Sequence, residues 1–576
     1  MTVRLAKVAA FAAATLALGA CSYLGGGRTE TAPSGAAPAA LAPRLEAFQH
    51  PPLAPAAVMA HVRVLSSDAF EGREPGTNGE RLTVEYLETA FEDAGLTPGV
   101  VGADGRRSWR QATPLISATL TEVPTLTIAG RDGRRAYAYG PQFSAWTKRL
   151  QDVVTVENAE LVFVGYGIVA PELGWNDYAG IDMTGKIAVI LINDPDFETG
   201  DDRGFGGRAM TYYGRWTYKY EEAARQGAAG AIIIHETAPA AYPWAVIESA
   251  TGGPRFDVVT ADRGMSRVPF EGWITSEVAL ETFRRAGLNF EQLKARAQQR
   301  GFTPVDMGSL TGSLTLRTQI EQISSSNVIG VLPGRTRPEE VIIYVAHWDH
   351  LGRCPPIDGD DICNGALDNA TGTAGLIELA RRFVNHGRPE RSVAFMAVTA
   401  EEQGLLGSLY YSQNPIFPPA NTVAAINMDG LNVRGPTRDV SVVGFGKSQL
   451  DDLLRAAAEA QGRRVVPEPF PEHGSFYRSD HVNFARLGIP VLYASSGTDM
   501  IDGGTERGAA LSRDYIANRY HKPQDEVTDD WNIIGGVQDL QMLYAVGRQL
   551  ADSRMWPEWA PNAEFRAARE ASRAGQ

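Results

Sequence analysis

From about residue 325 onward the chain alternates short apolar runs with helical stretches, and this alternation restricts its possible folds more than any other feature. Residues 328–332 (VIGVL) lead into the turn Pro333-Gly334, 341–346 (VIIYVA) are apolar throughout, Gly372 to Phe383 reads as a helix, and Ser392 to Val398 is a further apolar run. Runs that are apolar on every residue, rather than on alternate ones, suit strands covered on both faces. Strands alternating with helices imply an α/β fold, a mainly parallel mixed sheet flanked by helices. Ligands of such sheets sit beyond the carboxyl ends of the strands.

With 576 residues the chain exceeds what one core needs, and more than one domain is expected. Val58, Val62 and Leu65 form a helical stripe, and a second helix is expected from about Asn78 to Ala94. From about 155 the texture changes to strands and glycine turns: Leu161 to Gly167, the apolar run 187–192, a helix over Tyr220 to Gln226, and the strand 231–234. The expected organisation is a main domain in two parts, 56–130 and 311–560, around an insert at 131–310, with a tail from 561 to 576. The insert's core, 155–275, is β-rich and resembles a protease-associated domain.

The N-terminus is built differently. Arg4 and Lys7 precede an uncharged apolar run from Val8 to Ala20, too short to span a bilayer comfortably and suited to a signal peptide over residues 1–20. The run ends Leu18-Gly19-Ala20-Cys21, which resembles a bacterial lipobox and implies cleavage before Cys21 and its lipidation. Ser22 after the cysteine favours the outer membrane, facing the periplasm. Residues 21–55 are rich in Gly, Ala, Pro and Ser and read as a flexible tether. Export permits a disulfide between the two other cysteines, Cys354 and Cys363. The net charge of −14, with no basic face, argues against nucleic acid as a partner.

Five short motifs follow the expected strands: His347-Trp348-Asp349-His350; Asp368-Asn369 before the helix at Gly372; Glu401-Glu402; Asn427-Met428-Asp429-Gly430; and Tyr520-His521-Lys522-Pro523-Gln524-Asp525. Singly each is ordinary: a Glu-Glu pair is commonly a solvated face, and Asp368 could be only a helix cap. Together they offer imidazoles and carboxylates, the ligands zinc takes when it is catalytic. Two such ions about 3.5–4 Å apart can clamp a hydrolytic transition state. Ser479-Asp480-His481 is a poor serine triad, since adjacent residues seldom reach that geometry and no nucleophile elbow is present.

In this order the motifs resemble those of the di-zinc exopeptidases, the family of bacterial leucyl aminopeptidases, with relatives among glutamate carboxypeptidases, glutaminyl cyclases and the transferrin receptor. The resemblance covers about 45–130 and 315–550. It implies that His347 and Asp429 hold one zinc ion, that Glu402 and His521 hold the other, and that Asp368 bridges both, with a cis bond after Asp368. It further implies that Glu401 is the general base toward a water between the ions, and that Asp349 orients His347. Asp525 would do likewise for His521. Asp480 and His481 would lie near the pocket without binding metal. His350 reads as a structural or substrate-side residue, and Tyr477 or Tyr520 as a donor to the oxyanion, a choice the sequence leaves open. The expected activity is removal of N-terminal residues from peptides. Alternatives are a carboxypeptidase or a cyclase of the same fold, or a binding protein that has lost the site. Side-chain preference and oligomeric state are not legible.

Overall fold

The structure, a computed structural model, describes residues 53–574 apart from 250 and 252. The expected signal peptide, Cys21 and nearly all of the tether lie outside the described residues. In chain order the elements that matter here are α1 (Pro55–Leu65), α2 (Asn78–Asp93), β1 (Arg110–Leu120), β2 (Val153–Phe163), β3 (Ile187–Leu191), α3 (Trp216–Arg225), β4 (Gly230–Ile234), β5 (Glu271–Ile274), β6 (Val305–Leu332) and β7 (Arg337–His347). There follow α4 (Gly372–His386), β8 (Arg391–Val398), β9 (Thr422–Asn427), α5 (Leu450–Glu459), β10 (Val491–Ser496), α6 (Gly504–Asn518) and α7 (Ile534–Asp552).

The main domain is built on β8–β7–β9–β10, all parallel, with the end of β6 antiparallel to β8 at one side. Its apolar strands bury both faces. Ile342, Tyr344 and Ala346 of β7 join a cluster with α1, α2, α4 and α7, while Ile343 and Val345 join a second cluster with Met396 and Phe484. This alternation follows from the two-residue period of a strand. Tyr344 anchors the packing further, donating from its buried hydroxyl to the carbonyl of Leu543 in α7 at 2.7 Å.

The insert has its own parallel sheet, β2–β3–β4–β5, and apolar clusters drawing on residues from Leu126 to Leu316. One strand serves both units. The first part of β6 pairs with β2 in the insert, its middle pairs with β1, and its last residues pair with β8 in the main sheet. Cys354 and Cys363 are disulfide-bonded, with Cα atoms 6.0 Å apart. None of the described helices is long and apolar enough to cross a membrane.

Candidate metal centre

The three parallel strands β7, β8 and β9 end side by side, and each releases chemistry at its carboxyl end: His347 closes β7, Glu401 and Glu402 follow β8 by three and four residues, and Asp429 follows β9 by two. Asp368 arrives from the irregular turn before α4, where the Asp368–Asn369 peptide bond is cis. Asn369 fastens this turn to the end of β9: its Nδ2 donates to the carbonyl of Met428 at 3.0 Å, and its Oδ1 accepts from Gly430 N–H at 3.0 Å.

Among the described residues two groups of three have donor atoms mutually within 4.8 Å: His347, Asp368 and Asp429, and His350, Asp368 and Glu402. Asp368 belongs to both. His347 Nε2 lies 3.4 Å from Asp368 Oδ1 and 3.3 Å from Asp429 Oδ1. His350 Nδ1 lies 2.6 Å from Glu402 Oε1. His521 Nε2 stands 3.4 Å from Asp368 Oδ2 and 3.0 Å from Glu402 Oε2. The second half of the centre therefore has two histidines in reach. His350 is fully buried behind the end of β7, and His521, on a loop with φ of 58°, has a side chain 36% exposed.

The donor set fits a bound cation. Both ring nitrogens of His350, Oε1 of Glu402 and Nε2 of His521 are buried, and close as several of them lie to one another, none meets the geometry of a hydrogen bond. Buried polar atoms without a partner are costly and call for an explanation such as an ion. Imidazole and carboxylate together are the ligands zinc takes in catalytic sites. Burial pushes the Asp368 carboxyl up, but His347, His521 and His350 outweigh it and hold it well below the usual carboxylate range. Glu401 goes the other way. Burial, Asp429, Glu402 and Asp480 push its carboxyl well up, against the pull of His347.

Two orienting contacts differ from the sequence expectation. His347 Nδ1 meets the backbone carbonyl of Asp349 at 3.2 Å, which leaves Nε2 directed at Asp368 and Asp429, while the Asp349 carboxylate is 3.8 Å away. That carboxylate instead accepts the N–H groups of Glu401 at 3.1 Å and Glu402 at 3.3 Å, tying down the turn after β8. Asp525 likewise serves backbone rather than His521. It accepts from the N–H groups of Leu367, at 3.1 Å, and Asp368, at 3.0 Å. In both places a turn presents N–H groups with no helical or ladder partner, and a buried carboxylate satisfies them. Tyr477 is not a substrate donor, because its hydroxyl is bonded to Glu564. Tyr520 does face the cavity over the metal cluster, with its ring stacked on His521 at 3.7 Å between centroids. Asp480 accepts from Ser408 Oγ at 2.6 Å, and His481 is buried with its ring edge against Phe476. Neither lines the cavity.

Sequence reasoning missed three residues. Ser479 donates from Oγ to Asp429 Oδ2 at 2.7 Å and aims that ligand. Tyr493 donates to the carbonyl of Asp429 at 3.0 Å and lines the cavity. Arg73, on the irregular segment before α2, is 1% exposed and donates to the carbonyls of Trp348 (2.8 Å), Leu65 (2.7 Å), Asn364 (2.6 Å) and Gly365 (2.9 Å). It thus grips both the His347–Asp349 segment and the segment leading to Asp368. Burial pulls its guanidinium down to about 10, against the carboxylates of Asp349, Asp525, Asp368 and Glu402. Nothing in the local sequence around Arg73 signals this, since its partners come from elsewhere in the chain.

Residues 327–545 match the model of Peptidase family M28, a span that holds every residue of the cluster. The match is confined to this stretch and covers less than half of the chain. Outside the family model, a probable zinc metalloprotease of Pyrenophora tritici-repentis is 34% identical over 249 residues, 42% of this chain and 54% of that protein. Aminopeptidase NAALADL1 of Mus musculus is 33% identical over 122 residues, 20% of this chain and 15% of that protein. The chain spans about half the length of the first curated relatives it matches. Among solved structures, an aminopeptidase from Aneurinibacillus sp. strain AM-1 aligns at 20% identity with a TM-score of 0.46, covering 88% of this chain and 95% of that one. Arg73 lies upstream of the M28 match, so the segments that carry His347 and Asp368 are held in part by a residue outside the matched span.

Proposed function

We propose that the protein is a zinc-dependent exopeptidase that removes N-terminal residues from peptides and uses two metal ions. The observation that carries this reading is Asp368, shared by two mixed histidine–carboxylate groups at the carboxyl ends of parallel strands. The zinc metalloprotease and aminopeptidase names among the relatives support it. His347, Asp368 and Asp429 would hold one ion, and Asp368 and Glu402 the other, completed by His521 or His350. Bound zinc supplies polarisation of the scissile carbonyl and activation of water. The protein's own part is to place a base and keep water ordered. Glu401 lines the same cavity, half-buried and outside both donor groups, with its backbone fixed by Asp349. Its carboxylate takes the proton of the attacking water and returns it to the leaving nitrogen. Tyr520 borders the same cavity and is placed to donate to the developing oxyanion.

The insert walls the cavity with Trp146, Trp216 and Tyr242, and we assign it the protease-associated role its sequence resembles. We further infer export and attachment through Cys21, which a mass spectrum of the mature N-terminus checks.

The test of the site is metal analysis combined with digestion of a peptide library. Two zinc ions per chain and progressive loss of N-terminal residues are expected. Substituting His521 by Ala, and separately His350 by Ala, shows which histidine completes the second site, because only a ligand's loss lowers the zinc content to one. A protein that binds zinc yet leaves every peptide intact would end the exopeptidase reading.

A further inference from the structure

The cavity over the metal cluster, about 580 Å³, has a second chemical character. Its acidic members, Asp368, Glu401, Glu402 and Asp429, all belong to the metal centre. Away from that centre its walls carry arginines, among them Arg215 from the insert and Arg478 from the span matched to the M28 model. Arg215 precedes α3, and Arg478 precedes Ser479, the residue that aims Asp429.

Among the described residues neither guanidinium has an ion-pair or hydrogen-bond partner. Each instead leans on an aromatic face: Arg215 lies 5.4 Å from the ring centroid of Trp216, and Arg478 lies 6.0 Å from that of Tyr242. The two also feel each other. Burial pulls the Arg215 guanidinium down to about 9, Arg478 adds repulsion, and no carboxylate offsets either effect. Burial pushes the Tyr242 hydroxyl's pKa up, and both cations offset part of that rise. Three acidic groups of this region already have partners. Glu221 pairs with Arg486 at 3.1 Å, Asp257 with Lys148 at 3.4 Å, and Glu271 accepts from Trp146 at 2.8 Å.

A guanidinium stays charged under all ordinary conditions, so Arg215, half-buried beside a second cation and without an anion, carries an uncompensated cost. Stacking on an aromatic face fixes the plane of the group while its N–H edge stays free for a planar anion. A carboxylate meets that edge with two parallel hydrogen bonds. The cavity has the size of a small-ligand site, suited to a short peptide rather than a folded chain.

We propose that Arg215 and Arg478 bind a carboxylate of the substrate, so that the preferred substrates are short peptides that present an anion within reach of the metal centre. This rests on the exopeptidase reading above. The carboxylate has two possible sources, an acidic side chain or the free C-terminus of a di- or tripeptide, and one set of measurements separates them. Leu-Leu is compared with its C-terminal amide, and Glu p-nitroanilide with Leu p-nitroanilide, on the zinc-loaded full-length protein. The expected result is at least a tenfold higher kcat/KM for the anionic member of one pair. The first pair identifies the C-terminus as the source, and the second the side chain. In Arg215→Gln and in Arg478→Gln that ratio falls to within about threefold of unity. Arg478 is exposed, so its variant tests the idea even where Arg215→Gln folds poorly. No preference in either pair, or a preference that both variants keep, overturns the proposal. Calorimetric titration with glutarate and with glutaramide separates this failure from failure of the exopeptidase reading. Tighter binding of glutarate that weakens at least tenfold in the Arg478 variant sustains the anion site even where no peptide is cleaved, whereas equal binding by parent and variant removes it.

Discussion

Glu401 and Glu402 are neighbours in sequence and differ in what their carboxylates touch. Glu402 lies within 3.0 Å of His521 and 2.6 Å of His350, whereas Glu401 belongs to neither donor group. Glu401→Gln keeps size and packing but removes the base. Turnover is expected to fall by about 10²–10⁴-fold with zinc content unchanged and a Michaelis constant close to the parent's. Glu402→Gln should lose one zinc ion and regain part of its activity in excess zinc. The opposite pattern, metal lost from the first and kept by the second, would show that base and ligand have been exchanged. Arg73 makes a separate prediction. Three of its four carbonyl contacts hold the two segments that carry His347 and Asp368, and loss of such outer support typically costs about 10–100-fold in metal affinity. Arg73→Met should therefore bind zinc more weakly by competition with a chelator, and Arg73→Lys, which keeps the charge but has fewer donors, should fall between. Parent-like zinc affinity in Arg73→Met would mean that the clamp serves folding alone.

At the scale of elements, the strands β7 and β8 were legible because their central runs, 341–346 and 393–398, are apolar throughout, and the candidate ligands were legible because their motifs follow strand ends in order. The directions of Asp349 and Asp525 were not. Their spacing from His347 and His521 suits an orienting carboxylate, and only the three-dimensional turn shows that unpaired N–H groups lie closer. Arg215 and Arg478 were equally hidden, since a cation without a partner is recognised by what surrounds it. Helix α5 carries a comparable buried charge. Asp451, at its first turn, accepts from Gly446 N–H at 2.5 Å and is 6% exposed, and burial raises its carboxyl to about 6. The folded protein thus holds this proton more tightly than the unfolded chain, whose value is about 3.9. Stability from this group is highest at low pH, declines as pH rises from about 4 to 6, and is fully lost above that window. The gap corresponds to at most about 3 kcal/mol, less the favourable effect of a helix N-terminus on the charge. Asp451→Asn should raise Tm at pH 8, with about half of that gain left at pH 5. An equal gain at both pH values would show that ionisation of Asp451 is not the cause.

At the scale of the whole molecule, the two units share strand β6 and yet have separate cores. Thr318 of β6 sits directly opposite Leu120 of β1 in antiparallel register. The residues between them, 121–317, hold nearly all of the insert, and both ends of that segment meet at one register pair. A two-residue Asn-Gly turn joining Leu120 to Thr318 is the connection such a pair favours. The excised protein keeps all the metal-site residues, Arg73, and the cluster that packs α1, α2, α4 and α7 on the sheet. It loses the strand at Arg255–Val258 that pairs with β1, which uncovers Leu115 and Ile116. It also loses the Glu221–Arg486 ion pair and the contact of Met210 with the second cluster. Exposed apolar surface of this kind destabilises in proportion to its area, so a lower Tm is expected, still with one cooperative transition. Zinc content should remain that of the parent, because no ligand or clamp comes from the removed segment. Discrimination among peptides should weaken, since Trp146, Arg215, Trp216 and Tyr242 leave the cavity wall. Loss of zinc binding from a cooperatively folded excised protein would show that the insert shapes the metal centre itself, and unchanged relative rates on all peptides would show that its wall takes no part in choosing them.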